Sequence, residues 1–277
     1  ELNPEEVQGK KFRDKQTGDY VGRFGAEKVF EDALSGRSGG RIIQVNAGGQ
    51  IVAVLDEVPP APGDNLFLTI DFALQKKAES LLEGRVGAVV AMDPGSGEIL
   101  AMSSTPSFNP NHFVDGMSPK QWSALTSDPD RPMMNKAIQA AYPPASTYKM
   151  VTAMAALEEG VTGPDEETYC PGHYRYGNRL YYCWKKYGHG HMNVTAALKQ
   201  SCDVYFYHMG RRLGVDKMAE YAIAGGLGSP TGIVLDREAE GLVPTAEWKQ
   251  RRFGVPWQGG ENLSIAIGQG YNLTTPI

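Results

Sequence analysis

The chain reads YPPASTYK at residues 142–149 and MVTAMAAL at residues 150–157. The second block is apolar, rich in Ala and free of Gly and Pro, so it predicts a buried helix. The two prolines disfavour helix and place its start near Ser146. The Ser146 hydroxyl would then lie at the positive end of the helix dipole, with Lys149 one turn further on the same face. The pair predicts a serine nucleophile and a lysine base, if burial or a second positive charge favours the uncharged amine.

A simpler interpretation of this tetrapeptide stays open. Ser-x-x-Lys occurs by chance in chains of this length, and a serine at a helix start is usually only an N-cap. Other features of the sequence have to decide between the two interpretations.

The composition limits the class of protein. A chain of 277 residues with 41% hydrophobic and 21% charged side chains suffices for one large domain and a smaller piece. The net charge of -5 argues against nucleic acid as the main partner. No run of 18 apolar residues occurs, so no segment is expected to span a membrane. The sequence begins at Glu1 without Met or a signal peptide and stops at Ile277, and both ends look cut. We therefore expect any membrane anchor to lie outside these residues.

The chain divides into two parts at a proline-rich boundary. Residues 1–62 are polar and rich in Gly, which predicts a small α+β pedestal or linker ending near the sequence PPAPGD. Residues 63–277 are predicted to form the main domain. Its predicted elements are, in order, a strand at 65–70, a helix capped by Asp71, a buried antiparallel hairpin across 86–102, a helix at 146–159, a Tyr-rich and Gly-rich excursion at 169–190, and helices at 193–199 and 201–213. This order predicts an α+β fold, with an antiparallel sheet covered by a helical layer.

A second short motif, SCD at residues 201–203, follows the first. Taken alone, it is explained by a serine N-cap with an acidic residue in the first helical turn. Beside Ser-x-x-Lys it matches the second of three motifs of the penicillin-recognising serine enzymes, of which the third is Lys-Thr-Gly.

Further stretches carry a resemblance to that family over nearly all of the chain. They are GAEK at 25–28, VGAVVAMDPGSGEILAM at 86–102, YPPASTYK at 142–149 with Ala145 where Gly is usual, WKK at 184–186, HG at 189–190, SCDVYFY at 201–207, GLVP at 241–244 and GQGY at 268–271. Within the family, the chain resembles the class B, elongation-type peptidoglycan D,D-transpeptidases, the penicillin-binding protein 2 group. The resemblance implies the β-lactamase-like α+β fold of these enzymes.

The resemblance also implies a reaction and the residues that perform it. Ser146 would attack the penultimate D-alanine of a peptidoglycan stem peptide, expel the terminal D-alanine, and pass the acyl group to an amine on a neighbouring stem. Lys149 would be the base, and Ser201 would relay a proton to the leaving amine. Asp203, where other members carry Asn, would orient Lys149 or the substrate. A β-lactam would acylate the same serine.

Partners and location follow from the same resemblance. The implied partners are stem peptides, β-lactam antibiotics and membrane proteins of the elongation machinery, including a glycosyltransferase, with no nucleic acid. The implied location is periplasmic, anchored in the inner membrane. The chemistry itself is expected to need no metal or organic cofactor.

One family motif is absent from the sequence. Neither Lys-Thr-Gly nor Lys-Ser-Gly occurs in the 277 residues. In the family this triplet follows the GQGY segment, so we expect the chain to stop before it. The strand that supplies the second oxyanion N–H and binds the substrate carboxylate would then be missing, and we expect this chain to be acylated slowly.

All three cysteines lie close together in the sequence. Cys170, Cys183 and Cys202 fall within 33 residues, and His189 lies between the last two. Three thiolates and one imidazole make a closed tetrahedral zinc set. We favour a structural zinc ion, since the bond to Cys202 would fix the second motif.

Other interpretations of the cysteines stay open. A Cys170–Cys183 disulfide would suit a secreted enzyme, and free thiols are a third option. His173 and His191 are competing imidazoles.

Other functional classes share the serine and lysine motifs. A β-lactamase would hydrolyse its acyl-enzyme within seconds, and a β-lactam sensor would be a binding module. A division-type transpeptidase usually carries Asn at the position of Asp203, and a scaffold with an inactive site is the last alternative.

Overall fold

The computed structural model describes residues 4–7, 15–114 and 116–277 of the chain. Residues 1–3 and 8–14 of the predicted pedestal lie outside the described residues. The described helices are α1 (Pro4–Val7), α2 (Gly25–Val29), α3 (Glu31–Leu34), α4 (Phe72–Leu82), α5 (Asn111–Val114), α6 (Pro119–Ser127), α7 (Lys136–Gln139), α8 (Lys149–Glu158), α9 (Val194–Lys199), α10 (Asp203–Leu213), α11 (Val215–Ala224), α12 (Ala246–Phe253) and α13 (Glu261–Ala266). The described strands are β1 (Gly40–Val45), β2 (Ile51–Val58), β3 (Gly87–Met92), β4 (Ile99–Thr105), β5 (Thr168–Cys170), β6 (His173–Tyr176), β7 (Arg179–Tyr182) and β8 (Gly190–Met192).

Each of the described strands pairs with one other strand in an antiparallel ladder. The four ladders are β1 with β2, β3 with β4, β5 with β8, and β6 with β7. The α+β class is confirmed, but the described strands form four small ladders and no single sheet. In the excursion after residue 168 the strands have only three or four residues, and Pro171 and Gly172 end β5 at once. None of the helices among the described residues is both long and apolar enough to cross a membrane.

The first compact unit comprises residues 1–133 together with 233–237. The predicted hairpin is present as β3 and β4, although most of its residues are half-buried. The predicted cap of α4 is confirmed, since the Asp71 carboxylate accepts from the Leu74 N–H at 2.8 Å.

The strand predicted at residues 65–70 does not form. Two hydrogen bonds connect the end of this segment to the start of β4. The Thr69 hydroxyl donates to the Ile99 carbonyl, and the Asp71 N–H donates to the Leu100 carbonyl. These two bonds do not make a ladder, so the apolar side chain of Phe67 remains exposed.

The second compact unit comprises residues 134–232 and 238–277, and it holds both sequence motifs. Its core is built on α10, whose residues Val204, Tyr205 and Phe206 are fully buried. The helices α8, α11 and α13 pack against α10. The continuous aromatic run after the second motif therefore forms the centre of the unit.

A glycine sets how closely α10 and α13 approach. Gly210 lies inside α10, where an added Cβ would come within 2.4 Å of Ala266 Cβ and 2.8 Å of the Asn262 carbonyl oxygen. Both of these residues belong to α13. Only a residue without a side chain allows this separation of the helix axes.

We expect Gly210→Ala to destabilise the protein by about 1–3 kcal/mol through overpacking. The higher helix propensity of Ala stabilises the variant by about 0.5–1 kcal/mol. The variant is therefore less stable than the wild type only if the cost of overpacking exceeds this gain. Denaturant-induced unfolding measures the difference. Gly163→Ala is the control, since an added Cβ there has no neighbour within 4 Å. A Gly210→Ala protein as stable as the wild type would contradict this packing.

Candidate active site

The first motif forms a tight turn ahead of a helix. Residues Ala145–Tyr148 make one 3-10 turn, and α8 continues from Lys149. The cap positions are Pro144 and Tyr148, and neither makes a side-chain capping bond. Ser146 is exposed and does not cap the helix, so the N-cap interpretation is wrong.

Backbone contacts from another segment hold this turn. Ala145 has φ +50°, which is unusual for a residue other than Gly. Its N–H donates to the Gly268 carbonyl at 2.8 Å. A Cβ on Gly268 would lie 2.1 Å from the Ala145 carbonyl oxygen, so only Gly fits there. The GQGY segment therefore fixes the backbone on which Ser146 stands.

The second motif lies at the junction of α9 and α10. Ser201 has φ +50°, and Cys202 occupies the N-cap position of α10 without a capping bond from its side chain. Asp203 is the first residue of α10. Here too, the simpler interpretation as a serine N-cap is wrong, because Cys202 takes that position and the Ser201 hydroxyl donates to Ser146 Oγ of the first motif.

The two motifs meet at the amine of Lys149. The Lys149 side chain has only 1% of its surface exposed. Its Nζ donates to the Ser201 carbonyl at 3.0 Å, to Ser201 Oγ at 3.0 Å and to Asp203 Oδ1 at 2.6 Å. These contacts use the three donors of an ammonium group. The ring of Phe206 lies below the amine, 5.6 Å away at its centroid.

The nucleophile candidate is connected to the lysine through the second serine. Ser201 Oγ donates to Ser146 Oγ at 3.0 Å, and Lys149 Nζ lies 3.0 Å from the same Ser201 oxygen. Among the contacts of the described residues, the link from Ser146 to Lys149 runs through this hydroxyl. A hydroxyl both donates and accepts, so the chain can carry a proton from Ser146 to the lysine.

One residue of this site, Trp184, was not among the predicted site residues. The backbone N–H of Trp184 donates to Asp203 Oδ2 at 3.1 Å. Its indole N–H reaches the carbonyl oxygens of Gln200 and Ser201, each at 3.1 Å. The sequence offered two hints, the WKK stretch at 184–186 that carries the family resemblance and the position of Trp184 next to Cys183.

The predicted zinc ligands are brought together. One ligand atom from each of Cys170, Cys183, His189 and Cys202 lies within 4.8 Å of all the others. His189 Nδ1 is 3.7 Å from Cys170 Sγ and 3.5 Å from Cys183 Sγ. The ligand atoms of a tetrahedral S3N zinc site are about 3.6–3.8 Å apart, given its bond lengths. The spacing and the donor types therefore fit a zinc ion.

The thiols of this cluster do not form the alternative disulfide. All three cysteines are free and buried. The hydrogen bond from the Cys202 thiol holds the pKa of Cys183 below its usual range, and the same contact together with burial raises the pKa of Cys202. His173 and His191 are exposed, and neither belongs to the cluster.

Sequence models of two families match the chain. The family described as "Penicillin binding protein transpeptidase domain" matches residues 87–277. The family described as "Penicillin-binding Protein dimerisation domain" matches residues 1–68.

Similar proteins and solved structures point to the same family. The "Peptidoglycan D,D-transpeptidase MrdA" of Escherichia coli K12 is 44% identical over 259 residues, which are 93% of this chain and 41% of that protein. The chain thus spans less than half the length of this relative. A structure titled as a complex between PBP2 and MreC from Helicobacter pylori has a TM-score of 0.84 and 38% identity, covering 92% of this chain and 48% of that one. Pseudomonas aeruginosa PBP2 in complex with WCK 5153 has a TM-score of 0.80 and 37% identity, covering 93% and 53%. The chain belongs to the penicillin-binding protein transpeptidase family.

Proposed function

We propose that the protein that carries this chain is an elongation-type peptidoglycan D,D-transpeptidase, which crosslinks stem peptides through a serine acyl-enzyme. The observation that carries the proposal is the hydrogen-bond chain from exposed Ser146 through Ser201 to buried Lys149. Membership of the transpeptidase family supports the same reaction.

The reaction proceeds in two acyl transfers. Ser146 Oγ forms a bond to the carbonyl carbon of the penultimate D-alanine, and its proton moves through Ser201 to Lys149. For this step Lys149 presents a lone pair, which only the uncharged amine has. The bond to the terminal D-alanine breaks, and its nitrogen takes the proton back through Ser201. An amine of a second stem peptide then attacks the ester carbonyl carbon and gives up a proton through Ser201 to Lys149. The bond to Ser146 Oγ breaks, Ser146 Oγ takes that proton back, and the new amide completes the crosslink.

Asp203 has a positioning role in this proposal. Its two carboxylate oxygens contact different groups, Oδ1 the Lys149 amine and Oδ2 the Trp184 N–H. Both oxygens are therefore engaged within the protein, which supports an orienting function toward Lys149 over direct contact with substrate.

The domain limits, location and partners belong to the proposal as well. We assign residues 1–62 to a pedestal and 63–277 to the transpeptidase domain, in keeping with the family matches to 1–68 and 87–277. We place this domain in the periplasm, on a protein anchored in the inner membrane. We expect partners from the elongation machinery, including a glycosyltransferase. The solved complex of a similar PBP2 with MreC supports a membrane-machinery partner, and a similar structure titled as a peptidoglycan synthase complex that coordinates polymerization and crosslinking supports the glycosyltransferase.

Ser146→Ala should abolish labelling by a fluorescent penicillin, because the acyl-forming oxygen is removed. Lys149→Arg should slow acylation by at least about 100-fold, because a guanidinium does not accept the proton. Both variants are measured by gel fluorescence against time, in a protein of the relatives' length that carries this chain.

Two matched substitutions serve as controls for these variants. Ser127→Ala removes an exposed hydroxyl that bonds only within α6, and Lys199→Arg changes an exposed lysine at the end of α9. Both should label at the wild-type rate. Labelling of the Ser146→Ala protein at another serine would refute the assignment. Release of the label within seconds would indicate a β-lactamase.

We propose further that Cys170, Cys183, His189 and Cys202 hold one structural zinc ion. The four ligand atoms within 4.8 Å and the three free, buried thiols support this assignment. Because Cys202 lies between Ser201 and Asp203, the metal would fix the second motif from inside the protein and take no part in the acyl transfer.

The protein, purified without added metal and without an affinity tag, should contain close to one zinc ion per chain by elemental analysis. Chelation should lower its melting temperature, because the folded state is then no longer stabilised by the binding of the metal. Cys202→Ser should also slow β-lactam acylation, since Ser201 and Asp203 are its direct neighbours.

Two histidines provide an internal comparison for the zinc site. His189→Ala should lose the metal, whereas His191→Ala, an exposed residue paired with Glu167, should retain it. Protein without metal and with a single titratable thiol would instead establish the Cys170–Cys183 disulfide.

A further inference from the structure

Trp184 has an arrangement that burial does not explain. Two-thirds of its surface is exposed, at 66%, so the ring contributes little to the core. Its indole N–H nevertheless points inward to the carbonyl oxygens of Gln200 and Ser201. The outer edge of the ring meets His189, with centroids 5.2 Å apart. The directed contacts of the Trp184 side chain are therefore those of its indole N–H.

The carbonyl that Trp184 holds belongs to a strained residue. Ser201 adopts φ +50°, a left-handed conformation that is unfavourable for residues other than Gly. Such a conformation persists where the surrounding contacts over-determine it. The Ser201 carbonyl oxygen accepts from two sides, from Lys149 Nζ at 3.0 Å and from Trp184 Nε1 at 3.1 Å.

The backbone of Trp184 contacts Asp203, the other hydrogen-bond partner of Lys149. The Trp184 N–H donates to Asp203 Oδ2, while Asp203 Oδ1 accepts from Lys149. A single residue thus contacts both groups that position the amine, one through its side chain and one through its main chain.

We propose that Trp184 is a positioning residue for the acylation step. Its indole N–H holds the Ser201 backbone in the left-handed conformation, and this keeps Ser201 Oγ at 3.0 Å from both Ser146 Oγ and Lys149 Nζ. The inference rests on the proposed acyl transfer at Ser146, and it concerns the rate of that transfer. Binding of the β-lactam before reaction does not depend on this N–H.

The test removes the indole N–H in two ways, once with a bicyclic ring of the same size and once with a smaller ring. Trp184 is exchanged for benzothienylalanine, an isostere in which sulfur stands for the N–H, and separately for phenylalanine. The measured quantities are the first-order acylation rate constant and the non-covalent dissociation constant for a fluorescent penicillin. Both variants should lower the rate constant roughly 3- to 10-fold, the loss of one hydrogen bond, and leave the dissociation constant unchanged.

Two controls separate positioning from general stability. 5-Fluorotryptophan at position 184 keeps the N–H and should restore the wild-type rate constant. Trp257→Phe removes another indole N–H, which donates to Asn262 Oδ1 at 2.7 Å, and should lower the melting temperature without changing the acylation rate constant. Zinc content is measured for each protein, so that a disturbed metal site is recognised.

The possible outcomes are distinct. An unchanged rate constant with benzothienylalanine would overturn the role of Trp184, while normal wild-type labelling would leave the proposed function intact. A raised dissociation constant with an unchanged rate constant would identify Trp184 as a substrate contact and would also overturn the inference. A wild-type protein that is not acylated would defeat the proposed function itself.

Discussion

The burial of the Lys149 amine is the constraint on which the site depends. With 1% of its side chain exposed, the amine has to find its hydrogen-bond acceptors inside the protein. Three acceptors are provided, two on Ser201 and one on Asp203. Removing one partner of such a group leaves an unsatisfied polar atom, which costs more than the bond contributes. The junction between α9 and α10 is therefore tied to the first turn of α8.

This requirement explains why the second motif has its unusual backbone. A serine at a regular N-cap would direct its hydroxyl to the N–H groups of its own helix. The left-handed φ of Ser201 releases the hydroxyl from that role and directs it to Ser146 and Lys149. Cys202 then takes the N-cap position without a capping bond, and Asp203 begins α10, where the helix dipole favours a carboxylate.

Part of the fold could be predicted from local rules, whereas the pairing of the two motifs was predicted from the resemblance to the family. The cap at Asp71 and the α10 aromatic run follow from residue type and spacing, and so does the clustering of Cys170, Cys183 and His189. The segment 65–70 was predicted wrongly, because a short apolar run does not reveal whether a neighbouring strand offers a ladder. The contacts of Trp184 with the site could not be predicted from the sequence. They are made to a junction that lies 16 residues or more further along the chain.

Two kinds of contact position the two motifs of the candidate site. One is close backbone packing and the other is hydrogen bonding. Gly268 fixes the turn of Ser146 through backbone packing that admits no side chain. The junction at Ser201 carries a strained conformation, and Trp184 of the 182–190 segment contributes polar contacts to it. That segment has little apolar burial of its own, with Tyr182, Trp184 and Tyr187 all exposed. Two members of the Cys and His cluster, buried Cys183 and half-buried His189, belong to this segment. The zinc ion that we propose would connect them to Cys202, the residue next to Ser201.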